Sequence, residues 1–446
     1  MMSPEEVRSL AEKMIKKGMG MGFTECEVFF ECGRTYQAGV EKGELSTGKM
    51  NVNCGIGFRG LLGKSLGFTH TNTLNEKSLL QIVEDAYRIA KANKPNEQWI
   101  SLPTTSNPAT IEKMVDKTVV DAESSLAVDL MSRLVEYVRN YDKRVKPVFG
   151  FSTLSYGFYG VVNSWGVDCV EKATAVHIGV GCVAKDSNRV GSFSWMGDGS
   201  RLLDIDVRKI AEESARMALD SLKTRKVESF KGSLILDVDA IETTILASLM
   251  DAVNGDWVRL NRSPLRDKLN EEVLDEEITI YDDSLIEGGV GSSGFDGEGF
   301  RTQRTCLFEK GVLKSFLHTS FTANILKMEN TGNAVRSYSS LPSVGNSNIV
   351  VSPGNFGDLI SEVRRGIFFR RFSGHHIGER GDVSGVAKQA YYVENGEIKF
   401  PLTDVNINFN IYRVLREQFM GLEKKVRRYG ELFAPRLGLE GIDFHL

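Results

Sequence analysis

An internal repeat constrains the fold of this chain more than any other feature of its sequence. Gly55-Ile56-Gly57 is matched by Gly179-Val180-Gly181, and Gly67 by Gly191, at one separation of 124 residues (55 to 179 and 67 to 191). Helical periodicity precedes each copy, over 4–17 and 122–140, and each copy runs into a second helical stretch. Strands joined by glycine-rich turns favour antiparallel sheet, so the sequence predicts an α+β fold rather than a doubly wound α/β fold.

The composition changes near Ser229, which predicts two domains in the 446 residues. The first is an N-terminal α+β domain over 1–228. The repeat copies within it extend over 1–93 and 121–222, and the connector 94–110 contains Pro95, Pro103 and Pro108. The second domain, 229–446, is predicted to be β-rich.

The C-terminal domain has clear hairpin signals. TCLFEKGVLKSFL and YYVENGEIKFPL place Lys-Gly and Asn-Gly between apolar runs, which is the strongest short-range indication of a two-residue β-turn. GSLILDV reads as a buried strand, and Ile241, Ile245 and Leu249 lie on one face of a helix predicted over 240–253. The domain is therefore expected to contain mostly antiparallel strands and one early helix.

Bulk composition excludes several classes of protein. Lys and Arg total 55 against 59 Asp and Glu, a net charge of -4 without blocks of one sign, which argues against direct nucleic-acid binding. No apolar run approaches the roughly 18 residues of a membrane span. Ser3, Pro4 and Glu6 form a helix start rather than a secretion signal, so we expect a soluble cytoplasmic protein. The six cysteines include no CxxC pair and are expected to be small core residues in a reducing compartment.

Two short motifs lack the context that their chemistry needs. Gly55-x-Gly57-x-x-Gly60 matches the dinucleotide fingerprint, but turns and further strand follow it instead of a long helix. Ser46-x-x-Lys49 lies in a turn-rich segment, and the sequence has no GxSxG. We interpret both as strand edges and turns.

The distribution of histidines limits where a metal could bind. The six are His70, His177, His318, His375, His376 and His445. None falls between 178 and 317, so the helix at 240–253 cannot carry a His-Glu zinc motif. His375, His376 and Glu379 are the only local cluster of ligand types, and this pair of histidines could converge on one ion only in a loop, because neighbouring strand residues point to opposite faces.

The segment GFDGEGFRTQRT, residues 294–305, places Asp296 and Glu298 between glycines ahead of Arg301 and Arg304. An EF-hand series of oxygen ligands is missing, as is a lysine in phosphate-loop register. Its composition alone predicts a turn into a strand at 302–308, with the arginines neutralising the acids.

Beyond composition, this segment begins a series of motifs that resembles the TldD/PmbA family in order and spacing. The series is FDGEGFRTQRTCLFEKGVLKSFL (295–317), TANILKMENTGNAVR (322–336), LPSVGNSNIVVSPGN (341–355), RRGIFF (364–369) and YYVENGEIKFPL (391–402). The earlier SPLRDKL (263–269) also fits. The resemblance is detailed in the C-terminal half and looser in the N-terminal half.

The resemblance implies one of two branches. TldD-type chains carry His-Glu-x-x-x-His on an early helix of the C-terminal domain and a late cysteine ligand, whereas PmbA-type chains, also called TldE or modulators of DNA gyrase, lack these ligands and pair with the first type. The corresponding helix here, 237–254, has Glu242 but no histidine, and the last cysteine is Cys306. The chain thus resembles the PmbA branch.

What the resemblance implies is a subunit with no zinc of its own that completes the peptide chamber of a zinc-bearing TldD-type partner. The residues expected to line the interior cleft or the subunit interface are Asp296, Glu298, Arg301, Arg304, His318 and Asn333. Two alternatives stay open, an autonomous metallo-hydrolase around His375 and His376, and a regulatory protein that acts on DNA gyrase. A surface that meets a homologous subunit can also meet its own copy, so self-association of the lone chain is open too.

Overall fold

A computed structural model describes residues 2–41, 43–46, 48–104 and 107–444, and its first half is one antiparallel sheet with helices packed on it. The strand order is β4-β3-β1-β5-β6-β7, with β2 paired to the end of β1. The strands are β1 (Glu25–Glu41), β2 (Glu44–Leu45), β3 (Lys49–Leu62), β4 (Ser65–Thr71), β5 (Val145–Asn163), β6 (Asp168–Ala184) and β7 (Ser194–Ser200). The helices are α1 (Pro4–Met21), α2 (Glu76–Ala92), α3 (Lys117–Val120), α4 (Ser124–Tyr141) and α5 (Val207–Asp220), followed by a 3-10 turn at Ser221–Lys223.

The sheet contains the predicted duplication. Each copy of the repeat consists of a long helix, three main strands and a second long helix, with the two-residue β2 added in the first copy and the short α3 in the second. The copies meet where β1 pairs antiparallel with β5 from Glu27↔Asn163 to Glu41↔Phe149. Each copy of the repeat has its own apolar core between its helices and the sheet. The predicted α+β class with duplicated units is confirmed, whereas the domain boundary at 228/229 stays a prediction.

The first helix forms as its sequence indicates but runs further. Ser3 accepts from the backbone N–H of Glu6, and Glu6 accepts from that of Ser3, which completes the predicted capping box. The helix continues four residues past the predicted end at 17, to Met21, and stops at Gly22, whose φ of 101° suits glycine.

The connector 94–110 has no helix or strand in its described part, 94–104 and 107–110, as the prolines indicated. It is nevertheless packed, because Trp99 and Leu102 are buried against Leu61. No helix among the described residues is long and apolar enough to cross a membrane.

The second half contains two larger sheets, ordered β17-β16-β15-β8-β22-β19 with β18 beside β16, and β11-β10-β9-β14-β21-β20. A short pair, β12 and β13, is separate from both. The strands are β8 (Phe230–Leu236), β9 (Ile280–Asp283), β10 (Arg304–Glu309), β11 (Val312–Leu313), β12 (Ala334–Val335), β13 (Ser343–Val344), β14 (Ile349–Val351), β15 (Arg365–Ile377), β16 (Asp382–Glu394), β17 (Glu397–Pro401), β18 (Val405–Asn410), β19 (Phe419–Leu422), β20 (Arg427–Tyr429), β21 (Leu432–Ala434) and β22 (Leu437–Phe444). The helices are α6 (Val238–Ile241), α7 (Ala247–Ala252), α8 (Gly255–Arg259), α9 (Ser320–Leu326) and α10 (Ile411–Glu417), with a 3-10 turn at Leu359–Glu362.

Both predicted hairpins form. Lys310 and Gly311 turn between β10 and β11 with φ of 47° and 75°, and Asn395 and Gly396 turn between β16 and β17 with φ of 50° and 78°. Two positive φ values in succession define the type I′ turn that matches the twist of the flanking strands.

The helix predicted over 240–253 is interrupted by a π-helical segment. It comprises α6, then Glu242–Leu246 in π geometry, then α7. Thr243 donates its hydroxyl to the carbonyl oxygen of Asp239 at 2.9 Å, and Thr244 donates to that of Ala240. Threonine hydroxyls that donate to carbonyl oxygens one turn earlier compete with the backbone hydrogen bonds of a regular α-helix. This competition accounts for the π-helical segment in place of the predicted continuous helix.

The cysteine expectation is wrong for one pair. Cys32 and Cys54 are directly opposite on β1 and β3 and form a disulfide. The hairpin register brings together two residues that are 22 positions apart, which spacing alone could not indicate. Cys26, Cys169 and Cys182 are buried, as expected.

We predict that Gly67→Ala destabilises the first half. A Cβ at Gly67 would overlap the carbonyl oxygen of Ala86 in α2, so the helix must move away from the sheet. The expected loss is about 2 kcal/mol of unfolding free energy, measured by urea denaturation. Gly20→Ala is the matched control, because nothing lies within 4 Å of its added Cβ and alanine favours helix. Equal midpoints for the two variants would contradict the packing argument.

Candidate functional site

A buried charge network joins the two halves of the chain. It consists of Glu27 and Arg59 from the first sheet and Glu298 and Arg336 from the second half. Arg59 donates Nε and Nη2 to Glu27 at 3.0 and 2.8 Å, and its Nη2 also donates to Glu298 Oε1 at 3.1 Å. Arg336 donates Nη1 to Glu27 Oε1, the oxygen that also accepts from Arg59 Nε.

The network balances two carboxylates against two guanidinium groups in a site closed to water. The side chains are between 0% and 4% exposed. Burial alone would raise the pKa of Glu27, but Arg59 and Arg336 hold that pKa below its ordinary value. Burial lowers the pKa of Arg336, and Glu27 opposes this shift. Glu27 is therefore ionised at neutral pH in spite of complete burial.

Glu298 also anchors a helix of the second half. Its Oε2 accepts from the backbone N–H of Ser320, the first residue of α9, at 2.9 Å. A carboxylate at a helix N-terminus satisfies a free N–H and complements the helix dipole. One side chain thus holds both Arg59 and the start of α9.

Asp296 closes the turn in which both acids lie. Its Oδ1 accepts from the N–H groups of Glu298 and Phe300 at 2.9 and 3.0 Å, and its Oδ2 accepts from Ala334 at 3.1 Å. Burial and the neighbouring Glu298 raise the pKa of Asp296, and the three N–H donors oppose that shift. These three hydrogen bonds show that Asp296 fixes the backbone of the turn and does not present a charge at the surface.

The two arginines of GFDGEGFRTQRT do not neutralise these acids, contrary to the expectation from composition. Arg301 is exposed and donates to the carbonyl oxygen of Asn107 at 3.1 Å. Arg304 is exposed, lies 3.9 Å from the Tyr281 ring and is 3.6 Å from Asp283. Their place is taken by Arg59, which comes from the other half of the chain.

His318 and Asn333 are buried, and the backbone N–H of Asn333 donates to the carbonyl oxygen of His318 at 3.1 Å. His318 is 3.2 Å from the Thr322 hydroxyl through Nδ1, and burial lowers its pKa to about 4, so the ring is neutral. Asn333 donates to Asp282 at 2.8 Å. Neither position offers a group that could exchange protons with solvent.

A cavity of about 250 Å³ lies beside the network. Of the predicted cleft residues, Asp296 and Asn333 line it, together with Phe29, Tyr159 and Arg336. Within the described residues, Nε and Nη2 of Arg336 have no hydrogen-bond partner. Glu298, Arg301, Arg304 and His318 are not among the residues that line this cavity.

A second cavity, of about 380 Å³, lies over the interrupted helix of α6 to α7. We call it the helix cleft, and it is lined by Glu242, Asp251, Asn346, His376 and Glu431, among others. Burial and the charge of Glu431 raise the pKa of Glu242. Burial also raises the pKa of Asp251, and His376 Nε2 at 3.4 Å from its Oδ2 opposes that shift.

The donor groups of the helix cleft do not fit a zinc site. His375 and His376 are consecutive residues of β15, so their rings leave opposite faces of the strand. Glu379 accepts from Arg262 at 2.8 Å instead of approaching either ring. Among the described residues, no three His, Cys, Asp or Glu side chains are placed to hold a metal ion. His445 lies outside the described residues.

Three members of the network were not predicted as site residues from the sequence: Glu27, Arg59 and Arg336. A signal was present for Glu27 and Arg59, because ECEVFFEC and GIGFRGLL place charged residues among apolar residues of predicted strands. A charge in such a position requires an opposite charge or it would not be buried. The partner could not be identified, since Glu298 is 239 residues away from Arg59.

Comparison with known proteins gives matches along most of the chain. Three family models match, the PmbA/TldA metallopeptidase domain 1 over 26–90, the central domain over 117–222 and the C-terminal domain over 230–445. A metalloprotease of Methanocaldococcus jannaschii is 29% identical over 382 residues, 83% of either chain. The metalloprotease PmbA of Escherichia coli O157:H7 is 26% identical over 288 residues, 64% of this chain and 62% of that protein.

Solved structures share the whole fold. TldE from Thermococcus kodakarensis superposes with a TM-score of 0.88 at 24% identity, covering 98% of this chain and all (100%) of that one. A Thermotoga maritima protein described as a modulator of a DNA gyrase superposes with a TM-score of 0.87 at 21% identity, with the same coverage of 98% and 100%.

We predict that Arg59→Met destabilises the protein by about 3–5 kcal/mol, because it removes the cation between two buried carboxylates. Denaturant unfolding measures the loss. Arg208→Met is the control, since Arg208 forms an exposed pair with Glu212 at 2.7 Å and its loss should change little. If the two variants unfold at the same denaturant concentration, the network is not what joins the halves.

Proposed function

The chain belongs to the TldD/PmbA family of metallopeptidases, and from that premise we propose that it is a companion subunit without a metal of its own. It would complete a peptide-handling chamber together with a zinc-bearing TldD-type partner, in the cytoplasm. Its contribution would be the binding and orientation of an extended peptide. The hydrolytic step would occur on the partner.

The observation that carries this proposal is the composition of the helix cleft. Zinc hydrolysis needs about three protein ligands and an open coordination position. The α6 to α7 helix offers Glu242 but no imidazole, and the nearest histidine of the cleft, His376, is engaged with Asp251. Glu242 therefore has no metal-bound water to deprotonate.

The remaining predicted residues divide into two roles within this proposal. Asp296, Glu298, His318 and Asn333 are buried and hold the chamber wall in shape. Arg301 and Arg304 are exposed on the same segment, so they are the members available to a partner subunit. Their involvement in an interface stays a prediction.

The rival functions have weaker support. An autonomous hydrolase at His375 and His376 would need ligands on one side of β15, and these two rings leave opposite faces. For a regulator of DNA gyrase, the net charge of -4 argues against direct contact with DNA but not against contact with the gyrase protein. Neither rival gains a specific observation.

We predict that the purified chain holds far less than one zinc ion per molecule after dialysis without chelator. The reason is that, among the described residues, no three His, Cys, Asp or Glu side chains converge as a zinc site requires. Elemental analysis by mass spectrometry measures it, with a zinc-bearing TldD-type subunit prepared in the same way as the positive control. Stoichiometric zinc that is lost in His376→Ala would support an autonomous metallo-enzyme instead.

A second prediction concerns reconstitution with the TldD-type subunit of the same organism. An unfolded peptide should be cleaved by the mixture, in a chelator-sensitive manner, and not by this chain alone. Liquid chromatography of the products measures cleavage, and size-exclusion chromatography reports the complex. Cleavage by the partner alone at the rate of the mixture would remove the companion role.

A further inference from the structure

The cavity of about 250 Å³ beside the charge network is lined by polar groups that the fold leaves without partners, and we call it the network cavity. Phe29, Glu31 and Tyr159 of the first sheet form one side. The other side comes from the segment between β9 and β10 and from the residues around β12. Its volume is just below the range of about 300 to 1,000 Å³ that drug-sized ligands occupy, so it suits a molecule of the size of one amino acid.

Within the described residues, only one nitrogen of the Arg336 guanidinium has a hydrogen-bond partner. Nη1 donates to Glu27, whereas Nε and Nη2 have no acceptor. The side chain is 0% exposed, so bulk water does not serve these two nitrogens either. Nε and Nη2 form the edge that binds a carboxylate through two parallel hydrogen bonds, and Arg59 uses the same edge on Glu27 at 3.0 and 2.8 Å. Arg336 therefore keeps a carboxylate-binding edge that no described group of the chain uses.

The network cavity also contains an acceptor and an acid that need a donor. Asn333 Nδ2 donates to Asp282 at 2.8 Å, which fixes the amide and leaves its buried Oδ1 without a partner within the described residues. Glu31 is half-buried, accepts from the backbone N–H of Tyr338 at 3.3 Å and, among the same residues, forms no ion pair. Burial raises the pKa of Glu31, and the N–H of Tyr338 and the charge of Arg336 oppose that shift. A cationic donor is the group that a half-buried carboxylate lacks.

The remaining groups of the cavity favour a zwitterion over a simple anion. Phe29, Phe295 and Val335 supply apolar surface. Asp296 accepts from three backbone N–H groups and has little left to offer a ligand. The network already balances two carboxylates with two guanidinium groups, so a lone anion would add an uncompensated charge near Glu31. A ligand that carries one charge of each sign adds none.

We propose that the network cavity binds a free α-amino acid with an apolar side chain. Its carboxylate would accept from Nε and Nη2 of Arg336, and its ammonium group would donate to Glu31 and to Oδ1 of Asn333. The chemistry of this ligand rests on the cavity alone. Its meaning rests on the proposed function, because free amino acids are end products of peptide hydrolysis. Asn346 lines both the network cavity and the helix cleft, so the bound product would lie beside that cleft.

The first test is isothermal titration calorimetry of the full chain alone at neutral pH, with L-leucine as the probe. L-leucinamide lacks the carboxylate, and N-acetyl-L-leucine lacks the ammonium group, so the two are matched controls of similar size. We expect each to bind at least about tenfold more weakly than L-leucine, because each removes one charge-assisted contact.

Two variants assign the contacts to residues. Glu31→Gln should weaken L-leucine about fivefold and leave N-acetyl-L-leucine unchanged. Arg336→Lys keeps a cation beside Glu27 but loses the two-nitrogen edge, so it should weaken L-leucine about tenfold and leave L-leucinamide unchanged. Glu31 lies outside the charge network, so its variant decides the question even if Arg336→Lys does not fold. Glu41→Gln, which alters an exposed acid at the end of the same strand, should change neither ligand.

Four outcomes would overturn the proposal. No heat with any of the three ligands, or equal binding of all three, would remove the site. The tripeptide Ala-Ala-Leu and N-acetyl-L-leucine binding more tightly than L-leucine would make it a site for the C-terminus of a peptide. Inorganic phosphate that displaces L-leucine at equal concentration would make it a simple anion site. Because neither partner nor cleavage is involved, failure of the two-subunit reconstitution would leave this result unchanged.

Discussion

Arg59 holds a carboxylate from each half of the chain, and the arrangement of the whole molecule depends on that double contact. Glu27 lies beside it on the neighbouring strand, and Glu298 approaches from the second half at 3.1 Å. Because Glu298 also receives the N–H of Ser320, the guanidinium of one sheet fixes the start of a helix in the other half. Arg336 shares the Oε1 of Glu27 with Arg59 and lies over the ring of Phe29.

Such a network contributes orientation more than stability. The desolvation of four charges costs much of what their mutual attraction supplies, so an apolar replacement of the whole set could be as stable. Apolar groups could not fix one unique position of the second half of the chain against the first. The glycines of β3 act at the same place, because a Cβ at Gly55 or Gly57 would overlap Tyr338 of the second half. The glycines of the motif that matches the dinucleotide fingerprint thus leave room for Tyr338 of the second half to pack on β3.

Local signals predicted the local structure well, and long-range contacts were beyond them. The capping box of Ser3 and the turns at Lys310 and Asn395 depend on a few consecutive residues, and all three form as expected. The π-helical segment depends on threonine hydroxyls that bond to carbonyls of the preceding turn. The Cys32–Cys54 disulfide depends on the register of β1 and β3. The site was predicted least, because Asp296 and Glu298 were identified without their partners. Arg59 and Arg336 share no local pattern with them, and only the folded chain brings them together.

The start of α6 is held to the first half of the chain by ion pairs. Asp237 caps this helix through Val238, and its carboxylate is held by Arg370 at 3.1 Å and Arg436 at 3.4 Å. Burial alone would raise the pKa of Asp237, and the two arginines keep it low. Arg370 also holds the half-buried Glu213 of α5, so a shift of α5 against α6 must separate Arg370 from one of its two carboxylates. These ion pairs therefore fix α5 of the first half against the start of the helix that carries Glu242.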